Sequence, residues 1–232
     1  MTYQTYNQDC RIGLKNIPTA SVDLIFTDPP YGIDGANLDK HYNRDESTVV
    51  PGYIDIDKNF YANFSLEWIT ECSRVLKPTG SMYIVSGYSN LHHILNALHS
   101  TDMREINHLI AEYSFGVYTK NKWVSSHYHM LYWGKGKKTY FNGAAKFSDS
   151  KESYNDRLSV QPLLREYQPG QIKNKNQLSQ SFVEKYIQYS SKPGDLVLDP
   201  FSGSFSTGKA AAKLGRSFIG FEQNTQAYDA FK

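Results

Sequence analysis

The stretch VDLIFTDPPY, residues 22–31, joins a strand pattern to an abrupt stop. Its first half is rich in β-branched and aromatic side chains, which is typical of a buried parallel strand. Two prolines cannot continue a strand ladder, so the chain leaves the sheet after Asp28. A carboxylate, a proline carbonyl and the ring of Tyr31 therefore lie at the carboxyl end of a strand, where open α/β sheets bind ligands. The alternative is an ordinary exit from strand to loop, since Asp-Pro-Pro occurs in many turns.

The residues before this stretch complete a strand–helix–strand unit. Residues 4–7 predict a short strand and residues 11–16 a helix, which leads into the strand at 22–26. Asp9 follows the first strand, so we expect it at the same ligand-binding edge as Asp28. An isolated aspartate before a helix is also a common N-cap, and this alternative stays open.

The chain after Tyr31 continues to alternate helices and strands. Apolar spacing predicts, in order, a helix at 65–76, a strand at 81–85, a helix at 91–98 and strands at 106–118 and 128–133. Because no long helix separates the last two strands, they can pair antiparallel. The alternation predicts an α/β protein with a Rossmann-like, doubly wound, mostly parallel sheet, and seven strands are expected in the whole chain.

Two segments lack periodicity. Residues 33–60 are polar and long for an unstructured connection, which predicts a mobile binding loop or lid. Residues from about 141 to 175 are also polar, and they indicate a small irregular insert rather than a second domain. The whole chain, residues 1–232, is therefore expected to form a single domain.

The last quarter of the chain repeats the order of helix and strand. It predicts a helix at 181–189, a strand at 196–199, a helix at 209–214 and a strand at 217–222. Between the first of these strands and its helix lies the small-residue loop PFSGSFSTG, residues 200–208. Such a loop lets an anionic ligand approach backbone N–H groups at a helix N-terminus.

Glu222 ends the last predicted strand, 23 positions after Asp199. That placement suits hydrogen bonds from a ribose diol, as in the mononucleotide-binding half of a Rossmann-like sheet. The loop lacks the G-x-G-x-x-G spacing of nicotinamide-binding loops, which disfavours a dinucleotide. Gly203 and Gly208 taken separately can each be turn residues, but the complete order of elements favours a cofactor loop.

Charge is distributed unevenly along the chain, although the net charge is only +2. Residues 115–175 carry 11 Lys/Arg and 4 Asp/Glu, whereas the remainder carries 14 and 19. A basic segment in an acidic body favours a surface for a polyanion. A solvated lysine-rich loop is an equal alternative.

Cysteine usage and hydropathy limit the class of protein. Cys10 and Cys72 form neither a disulfide framework nor a metal-ligand spacing. No charged and apolar leader begins the chain, and no apolar run approaches the length of a membrane span. We therefore expect a soluble, cytoplasmic protein without a membrane partner.

The motifs at 28–31 and 199–204 together resemble those of a known enzyme family. Asp-Pro-Pro-Tyr and Asp-Pro-Phe-Ser-Gly-Ser are similar to the catalytic and cofactor motifs of S-adenosylmethionine-dependent DNA amino-methyltransferases. The catalytic motif comes first, the cofactor motif last and the basic segment between them, as in the beta group of that family. The resemblance covers residues 5–31, 66–90, 123–140 and 176–229. It implies a catalytic half at 1–140, a target-recognition insert at about 141–175 and a cofactor-binding half at 176–232.

The resemblance also implies a role for each motif residue. Asp28 and the Pro29 carbonyl accept the N–H bonds of the target amino group, and Tyr31 stacks on the flipped base. The catalytic residues are then Asp28, Pro29, Pro30 and Tyr31. The residues expected to bind S-adenosylmethionine are Asp9, Cys10, Asp28, Asp199, Pro200, Phe201, Gly203, Ser204, Ser206, Thr207, Glu222 and Gln223. The residues expected to contact DNA are Lys120, Lys122, His127, Lys135, Lys137 and Lys138.

Further partners follow from the same resemblance. Asp9 is expected to contact the adenine of the cofactor and Glu222 its ribose. The sulfonium is already a good leaving group, so no metal ion is expected. Double-stranded DNA is the expected substrate, and a second copy of the chain and a cognate restriction endonuclease are the other expected partners.

The chain departs from the family pattern at two places. Phe205 stands where the family's cofactor loop has its second glycine, so its side chain must point away from the methionine moiety. Residues 176–178, Asn-Gln-Leu, replace a His-Pro-Thr segment. Trp133 and His127 lie in a stretch that resembles a histidine-containing strand of the family, and packing is an equal explanation for His127 and His129.

Three functions are compatible with the sequence. The first is an N6-adenine DNA methyltransferase. The second is an N4-cytosine enzyme, which in this family more often carries serine at the position of Asp28. The third is a nucleic-acid-binding protein without activity, and the intact motif at 28–31 argues against it.

Overall fold

The computed structural model describes residues 1–33, 55–114, 119–145, 153–164 and 177–232. The strands in these ranges are β1 Tyr3–Tyr6, β2 Val22–Thr27, β3 Leu76–Ser86, β4 Arg104–Glu112, β5 His127–Gly134, β6 Val160–Pro162, β7 Leu196–Asp199 and β8 Ser217–Phe221. The helices are α1 Cys10–Gly13, α2 Tyr61–Val75, α3 Leu91–His99, α4 Ser153–Asp156, α5 Gln180–Ser190, α6 Ser206–Lys213 and α7 Thr225–Phe231. A 3-10 turn, Leu14–Asn16, extends α1.

All of these strands belong to one sheet, in the order β1-β8-β7-β2-β3-β5-β4-β6. Neighbouring strands are parallel except at β5, which runs antiparallel to both β3 and β4. The predicted mostly parallel α/β class is confirmed, and so is the antiparallel pairing of the two middle strands. Because β5 is reversed, its first residue lies at the edge where β3 and β4 end.

Helices cover both faces of the sheet, which explains why its central strands are apolar on both sides. One core lies under α2 and α3 and includes Trp68, and the other lies under α5 and α6 and includes Val183. Successive residues of β2 alternate between them, with Ile25 in the first core and Leu24 in the second. The buried strand predicted at 22–26 is therefore confirmed.

The direction of winding changes between the neighbouring strands β2 and β7. The chain leaves β2 through α2 to β3 on one side, and it leaves β7 through α6 to β8 on the other side. Such a topological switch point opens a crevice at the carboxyl ends of the strands, where ligands bind in open α/β sheets. We call the carboxyl ends of β1, β8, β7, β2 and β3 the ligand edge.

The expectation of seven strands was wrong, because β6 is an eighth. It comprises three residues, of which only Gln161 is buried, so it has no apolar periodicity. Parallel pairing with β4 makes it a strand, and the Ile110 N–H donates to the Ser159 carbonyl at 2.8 Å. Part of the predicted irregular insert thus extends the sheet, while residues 146–152 and 165–176 lie outside the described ranges.

The observed ends of other helices and strands differ from the predicted ones by a few residues. Helix α2 begins at Tyr61, four positions before the predicted start, and β4 ends at Glu112 instead of continuing toward 118. The mobile loop predicted at 33–60 falls mostly on residues 34–54, which lie outside the described ranges. Every helix in the described part of the chain is too short or too polar to span a bilayer.

Candidate active site

Four acidic side chains follow four adjacent parallel strands at the ligand edge. Asp28 follows β2, Asp199 is the last residue of β7, Glu222 follows β8, and Asp9 lies three residues after β1. Because β1, β8, β7 and β2 are consecutive neighbours, these acids are carried side by side along one edge. The sequence predicted this position for Asp28 and Asp9 from the rule that open α/β sheets bind ligands at the carboxyl ends of their strands. It predicted Asp199 and Glu222 from the strand–loop–helix–strand pattern of a nucleotide-binding half.

The turn formed by residues 28–31, here named the DPPY turn, is held by side chains from two other elements. The Tyr61 hydroxyl at the start of α2 donates to the Pro30 carbonyl at 2.8 Å. The Asn90 side chain donates from Nδ2 to the Tyr31 carbonyl at 2.7 Å. Sequence reasoning missed both residues. Asn90 follows β3 at the same edge, so the ligand-edge rule applied to β3 would have found it, whereas no sequence signal marks Tyr61.

The same turn leaves one carbonyl available. Pro29 is buried, and no described residue donates a hydrogen bond to its carbonyl. Gly32 closes the turn with φ +65°, and a Cβ at this position would lie 2.5 Å from the Tyr61 ring. Its N–H donates to Asp55 Oδ1 at 2.7 Å. The local backbone is therefore fixed without use of the Pro29 oxygen.

The Asp28 carboxylate is half-buried, and its side-chain partner among the described residues is the hydroxyl of Tyr31. The Tyr31 hydroxyl donates to Asp28 Oδ1 at 2.7 Å. Burial raises the pKa of Asp28 to about 7; the Tyr31 hydrogen bond opposes that rise, and the charge of Asp199 adds to it. No described Lys or Arg forms a salt bridge with Asp28. Perturbed carboxyl groups in a crevice are typical of functional sites.

Asp199 organises the start of the loop that follows β7. Its Oδ1 accepts hydrogen bonds from the Thr27 hydroxyl at 2.8 Å and from the Phe201 N–H at 3.1 Å. Burial raises its pKa to about 6, and the hydrogen bonds from Thr27 and Thr207 oppose that rise. The contact with Thr27 joins β7 to β2, so Asp199 ties the cofactor loop to the strand that carries Asp28.

Glu222 holds the far end of the same loop. Its Oε2 accepts the Gly203 N–H at 2.9 Å, and its Oε1 accepts the Asn224 N–H at 2.7 Å. Burial raises the pKa of Glu222 above its ordinary value, and the two backbone hydrogen bonds oppose that rise. Each carboxylate oxygen can accept more than one hydrogen bond, so both keep acceptor capacity for a ligand.

Phe205 adopts the backbone conformation that glycine favours. Its φ and ψ are 57° and 30°, in the left-handed region, at the residue that precedes α6. The side chain is 0% exposed and packs in the second core, edge-on to the ring of Tyr228 at 5.9 Å. The ring therefore points away from the crevice, as required for a ligand to approach the loop. Its burial offsets the strain of the backbone.

Asp9 is the N-cap of α1, which was the alternative explanation for it. Its carboxylate accepts the Arg11 N–H at 2.8 Å and pairs with the Arg11 guanidinium at 2.7 Å. Burial disfavours ionisation, but the hydrogen bonds and charge of Arg11 outweigh it, so the pKa of Asp9 lies below its ordinary value. Next to it, burial raises the pKa of the Cys10 thiol well above its ordinary value. A cofactor role for these two residues stays a prediction.

The remaining predicted cofactor residues differ in accessibility. Pro200, Ser204 and Thr207 are buried, Phe201, Gly203 and Ser206 are half-buried, and Gln223 is exposed. Ser202, which was not predicted, donates its hydroxyl to the Asp199 carbonyl at 3.0 Å. Among the half-buried members of the loop, Phe201 packs against the rings of Phe64 and Trp68 in α2, at 5.7 and 5.3 Å, and so joins the loop to the first core.

The predicted DNA-contacting residues separate into two groups at opposite edges of the sheet. His127 begins β5 at the ligand edge, and Lys120 and Lys122 lie in the exposed connection before it. Lys135, Lys137 and Lys138 follow the end of β5, where Gly134 pairs with Ser81 near the start of β3. The structure therefore does not bring that second group to Asp28. Lys135 instead pairs with Asp102 and donates to the Ser73 hydroxyl at 2.9 Å.

Aromatic rings connect the DPPY turn to the strands β4 and β5. The rings of Tyr31 and Tyr128 lie 5.9 Å apart, and those of Tyr128 and Tyr113 lie 4.8 Å apart. Sequence reasoning did not single out Tyr113 or Tyr128. On the opposite face of β5, His129 Nδ1 and His108 Nε2 are 2.9 Å apart. No group of acidic, His or Cys side chains suited to a metal ion occurs in the described ranges.

A family model described as DNA methylase, of the N6/N4 methyltransferase type, matches residues 22–232. The chain belongs to this DNA methylase family. The resemblance inferred from the two motifs is therefore confirmed.

Individual relatives agree with this assignment. The chain is 32% identical to the type II methyltransferase M.HinfI of Haemophilus influenzae over 95% of its own length, and it spans 65% of that protein. It is 35% identical to the DNA adenine methyltransferase YhdJ of Escherichia coli, with 94% of this chain and 77% of that protein covered. Among solved structures, the M1.HpyAVI–SAM complex matches with a TM-score of 0.72 and 25% identity, over 100% of this DNA methylase and 98% of that chain.

Proposed function

We propose that this protein transfers the methyl group of S-adenosylmethionine to the N6 amino group of an adenine turned out of double-stranded DNA. One observation carries the proposal: the Asp28 carboxylate and the available Pro29 carbonyl lie at the switch point beside the loop held by Asp199 and Glu222. The name of the similar YhdJ, a DNA adenine methyltransferase, supports adenine as the target.

The ligand edge fits S-adenosylmethionine, a nucleoside that carries a positively charged sulfonium. Glu222 keeps acceptor capacity for a ribose diol after binding two backbone N–H groups. Asp28 and Asp199 are carboxylates with raised pKa values and no cationic partner in the described ranges, so a positive group stabilises their charged forms. Asp9 and Cys10 are proposed to contact the adenine of the cofactor on the side of β1. When bound, the cofactor supplies an activated methyl group on a good leaving group.

Asp28 and Pro29 act on the target amino group. The lone pair of adenine N6 is delocalised into the ring, which makes the nitrogen a poor nucleophile. Two acceptors, the Asp28 carboxylate and the Pro29 carbonyl, bind its two N–H bonds and favour a pyramidal nitrogen whose lone pair is directed at the methyl group. With a pKa of about 7, Asp28 is also able to take up the proton that the nitrogen loses.

Tyr31 serves both the base and the carboxylate. Its ring is proposed to stack on the flipped adenine, and its hydroxyl orients Asp28 through the 2.7 Å hydrogen bond. Tyr61 and Asn90 keep the backbone of this turn in place, so the two acceptors are held before substrate arrives. Preorganisation of this kind lowers the barrier more than added binding energy does.

The experiment is nucleoside analysis of duplex DNA incubated with the protein and S-adenosylmethionine labelled in its methyl group. The expected product is N6-methyladenine. N4-methylcytosine would replace the adenine proposal by the cytosine one, and cofactor binding without transfer to DNA would overturn both. Sequencing the modified positions then gives the recognition sequence.

The proposal includes the organisation of the chain and its partners. Residues 1–140 form the catalytic half, residues from about 141 to 175 the target-recognition insert, and residues 176–232 the cofactor-binding half. A second copy of the chain and a restriction endonuclease of the same recognition sequence are the proposed protein partners, and the cytoplasm is the proposed location. Sedimentation with and without DNA tests the first partner, and protection of methylated DNA from cleavage tests the second.

A further inference from the structure

The three tryptophans of the chain differ sharply in exposure. Trp123 is 96% exposed, whereas Trp68 is 0% and Trp133 is 1% exposed, and both of these belong to the core. A fully exposed tryptophan leaves a large apolar surface in water, which is unfavourable in the free protein. Aromatic side chains in such positions are typical of binding surfaces, where the ring gains a partner.

Trp123 lies in the described part of the connection between β4 and β5, residues 119–126. Both strands meet this connection at the ligand edge, and the Tyr113 N–H donates to the Ser126 carbonyl at 2.7 Å where the connection starts and ends. The ring of Tyr113 contacts Tyr128, which in turn contacts Tyr31 of the DPPY turn. The base of the connection is therefore fixed against the turn that carries Asp28.

The charge around Trp123 suits a polyanion. Lys120 and Lys122 are exposed and form no ion pair with any described residue. The Thr119 hydroxyl donates to the Lys122 carbonyl at 2.7 Å, which folds this stretch into a turn. An aromatic ring flanked by unpaired cations is the pattern of a nucleic-acid surface, since phosphates bind the cations and bases stack on the ring.

We propose that Trp123 enters the base stack of the DNA beside the target adenine, in the space that the base leaves when it turns toward Tyr31. This inference rests on the proposed function. Turning a base out of a duplex loses its pairing and stacking, and an inserted ring replaces part of the stacking. Lys120 and Lys122 bind the flanking phosphates and hold the ring against the gap.

Tryptophan fluorescence of the unmodified protein tests the insertion directly, because Trp123 is the solvent-exposed member of the three. The probe is a short duplex that carries the site methylated by the wild-type protein, as found by sequencing. Adding it is expected to quench the exposed component of the emission and to reduce acrylamide quenching several-fold. The Trp123→Phe variant is the blank and should show neither change. Binding of the duplex without quenching would overturn the proposal.

Single-turnover methylation separates insertion from a mere surface contact. Trp123→Ala should lower the single-turnover rate constant for the matched duplex, at a protein concentration below saturation, roughly 5- to 100-fold, the range of one base–aromatic stacking interaction. With a duplex in which the target adenine is mismatched, the loss should shrink to about threefold or less, because a mismatched base is already easier to turn out. Trp123→Phe should keep most of the activity on both duplexes, and cofactor affinity should stay at the wild-type value in both variants.

The outcomes separate the two proposals. A wild-type protein that methylates neither duplex contradicts the proposed function itself. If the wild-type protein is active and the Trp123→Ala variant loses the same factor in methylation rate on matched and mismatched duplexes, the insertion is contradicted. Protection of Trp123 that grows with protein concentration in the absence of DNA also contradicts it, and would assign this surface to a second copy of the chain.

Discussion

The carboxylates at the two ends of the parallel strands differ in their partners. At the edge where the parallel strands begin, Asp23 pairs with Lys77 at 2.7 Å and also accepts the Leu196 N–H. At the same edge Lys135 pairs with Asp102. These charges are neutralised by the protein itself, and each pair joins neighbouring segments of the sheet. Their role is structural.

At the ligand edge most charges are left without an opposite charge from the described residues. They are Asp28, Asp199, Glu222, Lys120 and Lys122. The exception is Asp9, which pairs with Arg11. Leaving a buried carboxylate without a cation is unfavourable, so the fold keeps such groups where a ligand supplies the missing charge. Under the proposed function, the sulfonium of S-adenosylmethionine is expected beside the acids and the phosphates of DNA beside the two lysines.

The largest effect should come from Asp28, which follows β2 at the ligand edge. Asp28→Ala should lower the rate of methyl transfer roughly 10²–10⁴-fold, the contribution of a positioned acid–base group. Cofactor and DNA affinities should change little, because the lost hydrogen bond matters most in the transition state. Single-turnover transfer and separate binding titrations measure both.

Asp23→Asn is the matched control at the other end of the same strand. It should keep the transfer rate and lose stability, because the charge that pairs with Lys77 is removed. Substantial methylation by the Asp28→Ala variant, or an equal loss of rate in the two variants, would contradict the assignment of function to the ligand edge.

Glu222→Ala should weaken S-adenosylmethionine binding by about 1.5–3 kcal/mol, the range for hydrogen bonds to charged groups. The variant loses the ribose acceptor and also releases the Gly203 N–H that fixes the loop. Calorimetry measures the affinity. Glu184→Ala is the control, since Glu184 pairs with Lys213 at 2.9 Å away from the ligand edge and should leave the affinity unchanged. A folded Glu222→Ala variant with wild-type affinity would remove Glu222 from the site.

Two substitutions at Tyr31 distinguish the stacking of its ring from the hydrogen bond of its hydroxyl. Tyr31→Ala should reduce both DNA binding and transfer, by about 1–3 kcal/mol for the lost stacking. Tyr31→Phe should keep much of the activity but shift its pH dependence. In the wild type, kcat/KM for the cofactor should rise with pH through about 7 as Asp28 ionises.

The direction of that shift follows from the hydrogen bond. The Tyr31 hydroxyl lowers the pKa of Asp28, so its removal raises that pKa and moves the half-maximal pH upward. Rate profiles of the wild type and the Tyr31→Phe variant over a series of buffers measure the displacement. A profile that stays in place, or moves to lower pH, would disconnect Asp28 from the titration.

Substitution of lysines at the two edges shows which edge binds DNA. Replacing both Lys120 and Lys122 by alanine should weaken DNA binding and reduce the slope of log affinity against log salt by up to about 2, one unit for each lost phosphate contact. Replacing both Lys137 and Lys138 by alanine removes the same charge at the opposite edge and should change neither the DNA affinity nor its salt dependence. Fluorescence anisotropy at several salt concentrations measures the slopes. Equal slopes for the two double variants would place the DNA-binding surface elsewhere.

The last prediction concerns stability. The pKa of Asp28 is raised in the folded protein from 3.8 to about 7, so the folded state binds that proton more tightly than the unfolded state does. Stability from this group is present at low pH and is lost as pH rises from about 4 through 7. Asp28→Asn removes the burial of charge, so its Tm should exceed that of the wild type at pH 8. In thermal unfolding, the difference in Tm between the variant and the wild type should narrow as pH falls toward 5. A difference in Tm that does not depend on pH would contradict the raised pKa of Asp28.

Sequence reasoning was most successful where local pattern and topology agree. The order of helices and strands placed Asp28, Asp199 and Glu222 at one edge, because parallel strands joined by helices must end on the same side. It missed Tyr61 and Asn90, whose hydrogen bonds to the DPPY turn join residues far apart in the chain. Their roles depend on tertiary contacts that leave no periodic signal.

The basic segment shows a second limit. In the sequence, Lys120 and Lys135 belong to one stretch of positive charge, and they were assigned one surface. In the structure β5 lies between them, and a strand carries its two ends to opposite edges of the sheet. The strand β6 was missed for a related reason, since its three residues become a strand only by pairing with β4.

Phe205 has a consequence for how a ligand reaches the site. The loop after β7 cannot swing outward without withdrawing a fully buried ring from the second core and from its contact with Tyr228 of α7. Displacement of that loop would therefore expose apolar surface of the second core to water, which is unfavourable. We therefore expect the cofactor to bind without a large displacement of this loop.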